Sequence, residues 1–347
     1  MGSRQGLHQL LGVEQPLADA ASAPRELAPS SQPALAYSAR MSNELPLGPG
    51  LHVLERGWLS SNNVLLDDDD GSTLIDSGHC VHAEQTVALL RQRLGQRPLR
   101  HLVNTHLHSD HCGGNAAVQR AWAVDVRVPS GSLRAVQQWD EQALSYRPTR
   151  QRCERYTAQG SVAPGQVLTV GKRDWQVMAA PGHDPESVIL FDARHGVLIS
   201  ADALWENGFG VVFPELDGNE AFDDVEQVLD LIATLPVRCV IPGHGAPFTD
   251  VAGALQRARS RLEGFRASPE RHLRHGAKVL LKYHLMEERE QTVPAVHDWL
   301  RETPLMQSIW TELGTPGGDF AAWAEQLLQE LLAGGALALR GNVVHDL

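Results

Sequence analysis

The run His106-Leu107-His108-Ser109-Asp110-His111 decides the reading of this chain. Three imidazoles and a carboxylate fall within six residues, just after the apolar pair Leu102-Val103 and just before Gly113-Gly114-Asn115. A strand that ends in such a loop aims several side chains into one small volume. Imidazole nitrogen and carboxylate oxygen suit zinc and other borderline metals. Histidines on a loop can also be plain polar surface, but the dense HxHxDH spacing argues for a metal site.

Three downstream positions repeat the logic. His183 stands in Ala180-Pro181-Gly182-His183-Asp184, after the alternating segment Asp174 to Ala180. Asp202 follows the apolar run Val197-Leu198-Ile199, and His244 follows Val240-Ile241 in a Pro-Gly-His-Gly turn. Each polar residue comes after a predicted buried strand, where a small residue lets the backbone turn tightly. Any one of them alone reads as a capped turn or a satisfied core residue; four such sites in one chain point to ligands for two metals.

In this pattern the chain resembles the metallo-β-lactamase-fold hydrolases. Ile75-Asp76-Ser77-Gly78 matches the first motif of that superfamily and HxHxDH the second, while His183, Asp202 and His244 supply the third to fifth. The match runs roughly from Gly48 to Asp250, and the full set is highly specific. The resemblance implies one metal held by His106, His108 and His183, a second held by Asp110, His111 and His244, and Asp202 bridging the two. Asp76 would not be a ligand but would support the metal loop through hydrogen bonds. It further implies two zinc ions, although the same ligands accept iron or manganese. Ions about 3.5–4 Å apart would share a bridging hydroxide as nucleophile, polarise the substrate oxygen and stabilise the leaving atom. Asp110 would orient that hydroxide or take its proton. Cys112, next to His111, reads as a small packing residue rather than a nucleophile.

Composition sets the bounds. With 347 residues the chain can bury a full core, and 42% hydrophobic with 21% charged residues is ordinary for a globular protein. A net charge of −12 disfavours whole-surface binding to nucleic acid and leaves room for a local basic patch. Cys80, Cys112, Cys153 and Cys239 lack CxxC spacing and read as free thiols of a reducing, cytoplasmic compartment. No run of about 18 apolar residues predicts a membrane span.

The expected organisation is a disordered leader over residues 1–43, rich in Ala, Ser and Pro, then a catalytic domain over 44–250 and a helical C-terminal domain over 251–347. The fold class is α/β, an αββα sandwich with its metal loops at one edge. Strands are predicted over Leu51–Glu55, Asn63–Asp67, Ser72–Asp76 and Val126–Pro129, and in hairpin rhythm over Val167–Asp192. Helices are predicted over His82–Leu94, Gly113–Ala121 and Phe222–Leu235, and Arg134–Tyr156 reads as mostly helical, with Trp139 and Tyr146 exposed. Asp67 to Gly71 lacks EF-hand spacing and reads as a solvated turn. After Asp250 helical stripes dominate, Thr303-Pro304 and Asp319 open helices, and a hairpin around Gly341 ends the chain. Helices followed by a hairpin resemble the winged-helix-type appendage of some relatives of this fold, and such helices could pair two chains as a homodimer.

Departures from family patterns narrow the chemistry. His108 replaces the Glu of diiron oxygen reductases, and Asp202 replaces the Cys or Ser of the best-known zinc β-lactamases. The residues after His244 lack the Glu-Tyr-Thr usual in hydroxyacylglutathione hydrolases, and Trp205 takes the place of a lactonase Tyr. What remains is a hydrolase of ester, thioester or lactone carbonyls in small-molecule substrates. Two alternatives stay open: an endoribonuclease or phosphodiesterase using the basic stretch Arg257 to Lys282, and an iron-dependent persulfide dioxygenase. That basic stretch also reads as a solvated helix face.

Overall fold

The computed structural model describes residues 45–313 and 318–347, so the leader expected over 1–43 lies outside the described residues. One sheet contains β1 (Leu51–Leu54), β2 (Asn63–Leu66), β3 (Ser72–Ile75), β4 (Leu99–Val103), β5 (Asp125–Pro129) and β6 (Gly160–Val162), side by side in that order. Its first three strands form an antiparallel meander, and β3 to β6 run parallel. The second sheet contains β7 (Val167–Val170), β8 (Arg173–Ala179), β9 (Val188–Asp192), β10 (Val197–Ala201) and β11 (Cys239–Pro242). It is antiparallel except for the parallel pair β10 and β11.

Period-two alternation explains why the sheets stack. Val64, Leu66, Ile75 and Val103 of the first sheet meet Val177, Leu190, Val197, Ile199 and Ile241 of the second in one core. Their neighbours Leu65, Leu74 and Leu102 point outward, under α1 (Ala83–Leu94) and beside Val118. On the opposite outer face, Ile189, Phe191, Leu198 and Val240 pack under helices. The sandwich therefore has four layers, αββα, as its sequence predicts.

The remaining helices are α2 (Ser109–Cys112), α3 (Asn115–Ala121), α4 (Leu133–Gln138), α5 (Tyr146–Thr149), α6 (Phe213–Leu216), α7 (Phe222–Thr234), α8 (Val251–Ala267), α9 (Pro269–Glu288), α10 (Val293–Glu302), α11 (Pro304–Glu312) and α12 (Phe320–Ala333). Residues 134–156 depart from the predicted helix: only the two short helices α4 and α5 form there. Left-handed backbone at Trp139 and Arg150 ends α4 and α5, and left-handed Ser145 immediately precedes α5. Tyr146 is buried rather than exposed, because its hydroxyl donates to Leu107 O at 3.0 Å, behind the metal motif.

Beyond Asp250 the packing divides. Ala254, Leu255, Ala258 and Leu262 of α8 join α7 on the outer face of the second sheet. A separate core starts at Leu273 in α9 and gathers Trp299, Ile309, Leu327 and Val344, with Val211 and Leu216 of the sandwich inserted. Short β12 (Glu290–Thr292) pairs with the terminal hairpin of β13 (Leu337–Arg340) and β14 (Val343–Asp346) into a three-stranded sheet. The hairpin around Gly341 forms as its alternation predicts, whereas β12 and α10 have no counterpart in the sequence reading. Among the described residues, no helix is long and apolar enough to cross a membrane.

Candidate metal centre

Every expected ligand, and the supporting Asp76, follows the carboxyl end of a strand. Asp76 follows β3, His106 to His111 follow β4, His183 follows β8, Asp202 follows β10 and His244 follows β11. The two sheets thus present their loops at one edge. Backbone bonds lock the loops together: Ser61 N donates to Asp110 O at 2.9 Å and Asn62 N to Gly243 O at 2.7 Å. The Asn62 side chain donates to Pro242 O and Gly245 O, at 2.9 and 2.7 Å. Gly243 is required by close approach, since a Cβ there would stand 2.1 Å from Asp202 Oδ1.

The donors fall into two groups, His106, His108 and His183, and Asp110, His111, Asp202 and His244, with the donor atoms of each group within 4.8 Å of one another. In the first group His183 Nε2 lies 2.8 Å from His108 Nδ1 and 3.2 Å from His106 Nε2. His183 Nδ1 donates to Val211 O at 2.6 Å, which leaves Nε2 as an inward lone pair. In the second group His244 Nε2 stands 2.9 Å from Asp110 Oδ2. Asp202 reaches both groups: Oδ2 lies 3.4 Å from His183 Nε2 and 3.8 Å from His244 Nε2, and Oδ1 lies 3.4 Å from His111 Nε2.

Asp76 takes the supporting place that the resemblance implies. Its carboxylate accepts from Thr105 N at 2.9 Å, Thr105 Oγ1 at 2.7 Å and His111 Nδ1 at 2.8 Å. The last bond fixes the tautomer of His111 and turns Nε2 inward. Asp76 itself has φ 56°, a left-handed conformation held by this network.

The electrostatics test whether divalent cations fit. Asp76, Asp110 and Asp202 are all buried, and their ion-pair partners among the described residues are histidines. Burial pushes the Asp202 carboxyl up, but His244, His111 and His183 outweigh it and hold it well below the usual range. Asp110 likewise lies below its ordinary value: burial opposes the shift, and His111 and His244 prevail. Burial drives His106 well below 6.5 and lowers His108 and His183 to about 4, so these imidazoles are neutral at pH 7. His111 is the exception, raised against its burial by Asp202, Asp76 and Asp110. Its buried Nε2 makes no hydrogen bond among the described residues. Three buried carboxylates around mostly neutral imidazoles leave a surplus of negative charge that burial alone makes costly. Divalent cations fit both the charge and the inward lone pairs.

The cleft over the donors is mainly apolar. Trp58 stacks on the His244 ring (5.5 Å, 7°) and Trp205 meets both rings edge-on. Trp205 Nε1 donates to Asp202 Oδ1 at 3.1 Å. The facing wall comes from the C-terminal unit: Val279, Leu280, Tyr283 and Met286 of α9 line the cleft opposite His108, Asp110 and His183. The sequence reading missed this wall and missed Tyr283, whose hydroxyl lies 3.1 Å from Ser109 Oγ. Trp139 and Tyr146 are not among the residues that line the cleft; their rings meet at a 45° tilt, with centroids 5.9 Å apart. Cys112 is fully buried against Tyr146 and Cys153, as a packing residue should be.

Comparison with known proteins agrees with this geometry. Residues 56–244 match the metallo-beta-lactamase superfamily. Acyl-coenzyme A thioesterase MBLAC2 of Gallus gallus is 27% identical over 220 residues, covering 57% of this chain and 79% of that protein. Hydroxyacylglutathione hydrolase of Chelativorans sp. (strain BNC1) is 24% identical over 191 residues, covering 55% of this chain and 66% of that enzyme. A metallo-beta-lactamase family protein from Thermus thermophilus superimposes with a TM-score of 0.52 at 20% identity, covering 87% of this chain and 100% of its own. That coverage reaches past the sandwich into the C-terminal helices, and it speaks for the fold alone.

Proposed function

The chain belongs to the metallo-β-lactamase superfamily of hydrolases, and from that premise we propose a dinuclear zinc enzyme that hydrolyses acyl thioesters. The observation that carries the proposal is Asp202, which faces the three-histidine group and the Asp-His-His group at once, as a residue shared by two ions would. His106, His108 and His183 would hold one ion, and Asp110, His111 and His244 the other. When bound, such a pair supplies acidified water and positive charge for the acyl oxygen.

The protein's own groups supply the rest. Asp110 lines the cleft as an ionised carboxylate and is placed to take a proton from the attacking water. Water adds its oxygen to the acyl carbon, the C–S bond breaks, and the proton leaves with the thiol. Trp58, Trp205 and Phe213 shield the donors from bulk water and offer an apolar wall to an acyl chain. Two observations favour thioesters within the carbonyl class. The names of both curated relatives describe acyl groups on thiols. The cleft walls, moreover, are mainly apolar, and their cations Lys282 and Arg261 are held by Asp346 and His275. Most of the basic stretch that a nuclease would use is engaged internally: Arg259 pairs with Asp230, Arg266 with Asp223 and Glu226, Arg274 and Lys278 with Glu330, and Lys282 with Asp346. Four free cysteines accord with a cytoplasmic site of action.

The test is a substrate panel on the metal-loaded protein: acyl-coenzyme A and acylglutathione thioesters, lactones, a β-lactam, RNA and a persulfide. Thioester turnover that a chelator abolishes is the expected result. RNA cleavage, or oxygen uptake on the persulfide, would replace this reading.

A further inference from the structure

From the placement of Tyr283 we infer that the C-terminal unit completes the active site: its phenol donates a hydrogen bond to the substrate's acyl oxygen as that oxygen gains negative charge. The inference rests on the carbonyl hydrolysis proposed above for the reaction and on this chain's own geometry for the donor.

Tyr283 sits on the face of α9 that lines the cleft, between Val279 and Met286 at helical spacing. Two contacts fix its position. The ring lies edge-on to the buried His79, with centroids 5.7 Å apart. The hydroxyl meets Ser109 Oγ, the first residue of α2 and the immediate neighbour of Asp110. A phenol carries one proton and can accept as well as donate. Ser109 is fully buried, and Tyr283 is its one hydrogen-bond partner through Oγ among the described residues. When Ser109 donates to the phenol oxygen, the Ser109 hydroxyl is satisfied and the phenol proton is left for the cleft, which Asp110 also lines. Other donors along this wall are engaged elsewhere. Trp205 Nε1 is held by Asp202, Lys282 Nζ by Ala336 O and Asp346, and Arg261 by the ring of His275.

Burial pushes the phenol above its ordinary acidity range, and a phenol keeps its proton near neutral pH in any case. A neutral donor aimed where charge develops in a water-poor cleft is the arrangement that oxyanion holes use. It also assigns the C-terminal unit a chemical role, since removal of α9 would remove the donor with the wall.

The experiment compares wild type with Tyr283→Phe, both metal-loaded, by two readouts. One is thioester turnover. The other is calorimetric binding of a hexylphosphonate monomethyl ester, a stable tetrahedral anion whose binding needs no catalysis. The expected results are a fall of about 100-fold in kcat with KM nearly unchanged, and a phosphonate Kd weakened about 10-fold, with metal content unchanged and a small fall in Tm from the lost Ser109 bond. Tyr283→Gln, which restores a donor, should recover part of the binding and serves for the same comparison if the Phe variant folds poorly. If no carbonyl substrate is turned over yet Tyr283→Phe still weakens phosphonate binding about 10-fold, the donor assignment stands and the proposed reaction falls. Equal phosphonate binding by wild type and Tyr283→Phe, or none by wild type, overturns the inference.

Discussion

The sandwich edge and the C-terminal wall of the same cleft are built in opposite ways. At the edge, polar groups that are costly to bury lie in short motifs directly after apolar strands: Asp76 after Ile75, His106 to His111 after Val103, Asp202 after Ala201. Each is held by bonds from residues close in sequence or from the adjoining loop, such as Thr105 to Asp76. The wall opposite is one face of a helix, Val279, Tyr283 and Met286, placed by the packing of α9 around Leu273, Leu281 and Leu285. The chemistry is thus written locally, and the shape that receives the substrate is written in tertiary packing.

That difference can be attacked from either side, the edge first. Asp202→Ala removes the group that both donor clusters share, so thioester turnover should fall by at least about 1,000-fold while the circular dichroism spectrum stays close to wild type. A variant that keeps its activity would sever the edge from the chemistry. Asp76→Asn leaves all seven donors but loses the carboxylate that orients His111; metal affinity should drop about 10- to 100-fold, read by competition with a chromophoric chelator.

The wall should respond in stability and selectivity instead. Leu327→Ala, in the separate C-terminal core, should cost about 2–5 kcal/mol, measured by urea unfolding, without changing metal stoichiometry. The junction between the regions adds a pH effect. His272 is buried where α9 meets the sandwich, accepts from Val212 N at 3.2 Å, and has its pKa lowered by burial, and then by Arg261, to about 3. A depressed histidine contributes stability in full above its unfolded value of about 6.5, and that contribution fades as pH falls towards about 3. His272→Gln, which keeps an acceptor, should flatten the unfolding midpoint across this window relative to wild type. The smallest effect is expected from Met286→Ala, a few-fold shift in kcat/KM towards longer acyl chains as the wall recedes.

The same contrast explains what the sequence disclosed. All seven candidate donors and Asp76 stand out in the sequence because metal chemistry demands particular residue types, and strand periodicity fixes where each emerges. The αββα layering was legible because Val64, Leu65 and Leu66 alternate between two cores. The region 134–156 was not, since its apolar residues suit a helix. The left-handed turns at Trp139, Ser145 and Arg150, and the bond from Tyr146 to Leu107, are set by neighbours distant in sequence. Tyr283 was hidden for a related reason. Periodicity marks a face of α9 but not what the face looks upon, and its partner Ser109 lies 174 residues away. The buried run Ser60-Ser61-Asn62-Asn63 was an overlooked local signal, because four consecutive polar residues at the entry to β2 brace the loops of both sheets.

The most direct test of the shared-ligand centre is elemental mass spectrometry of the purified protein beside Asp202→Ala. The account predicts two zinc ions per wild-type chain, a loss of metal in the variant, and thioester turnover that tracks the metal content. A single iron per chain, or full thioester turnover without metal, would contradict it.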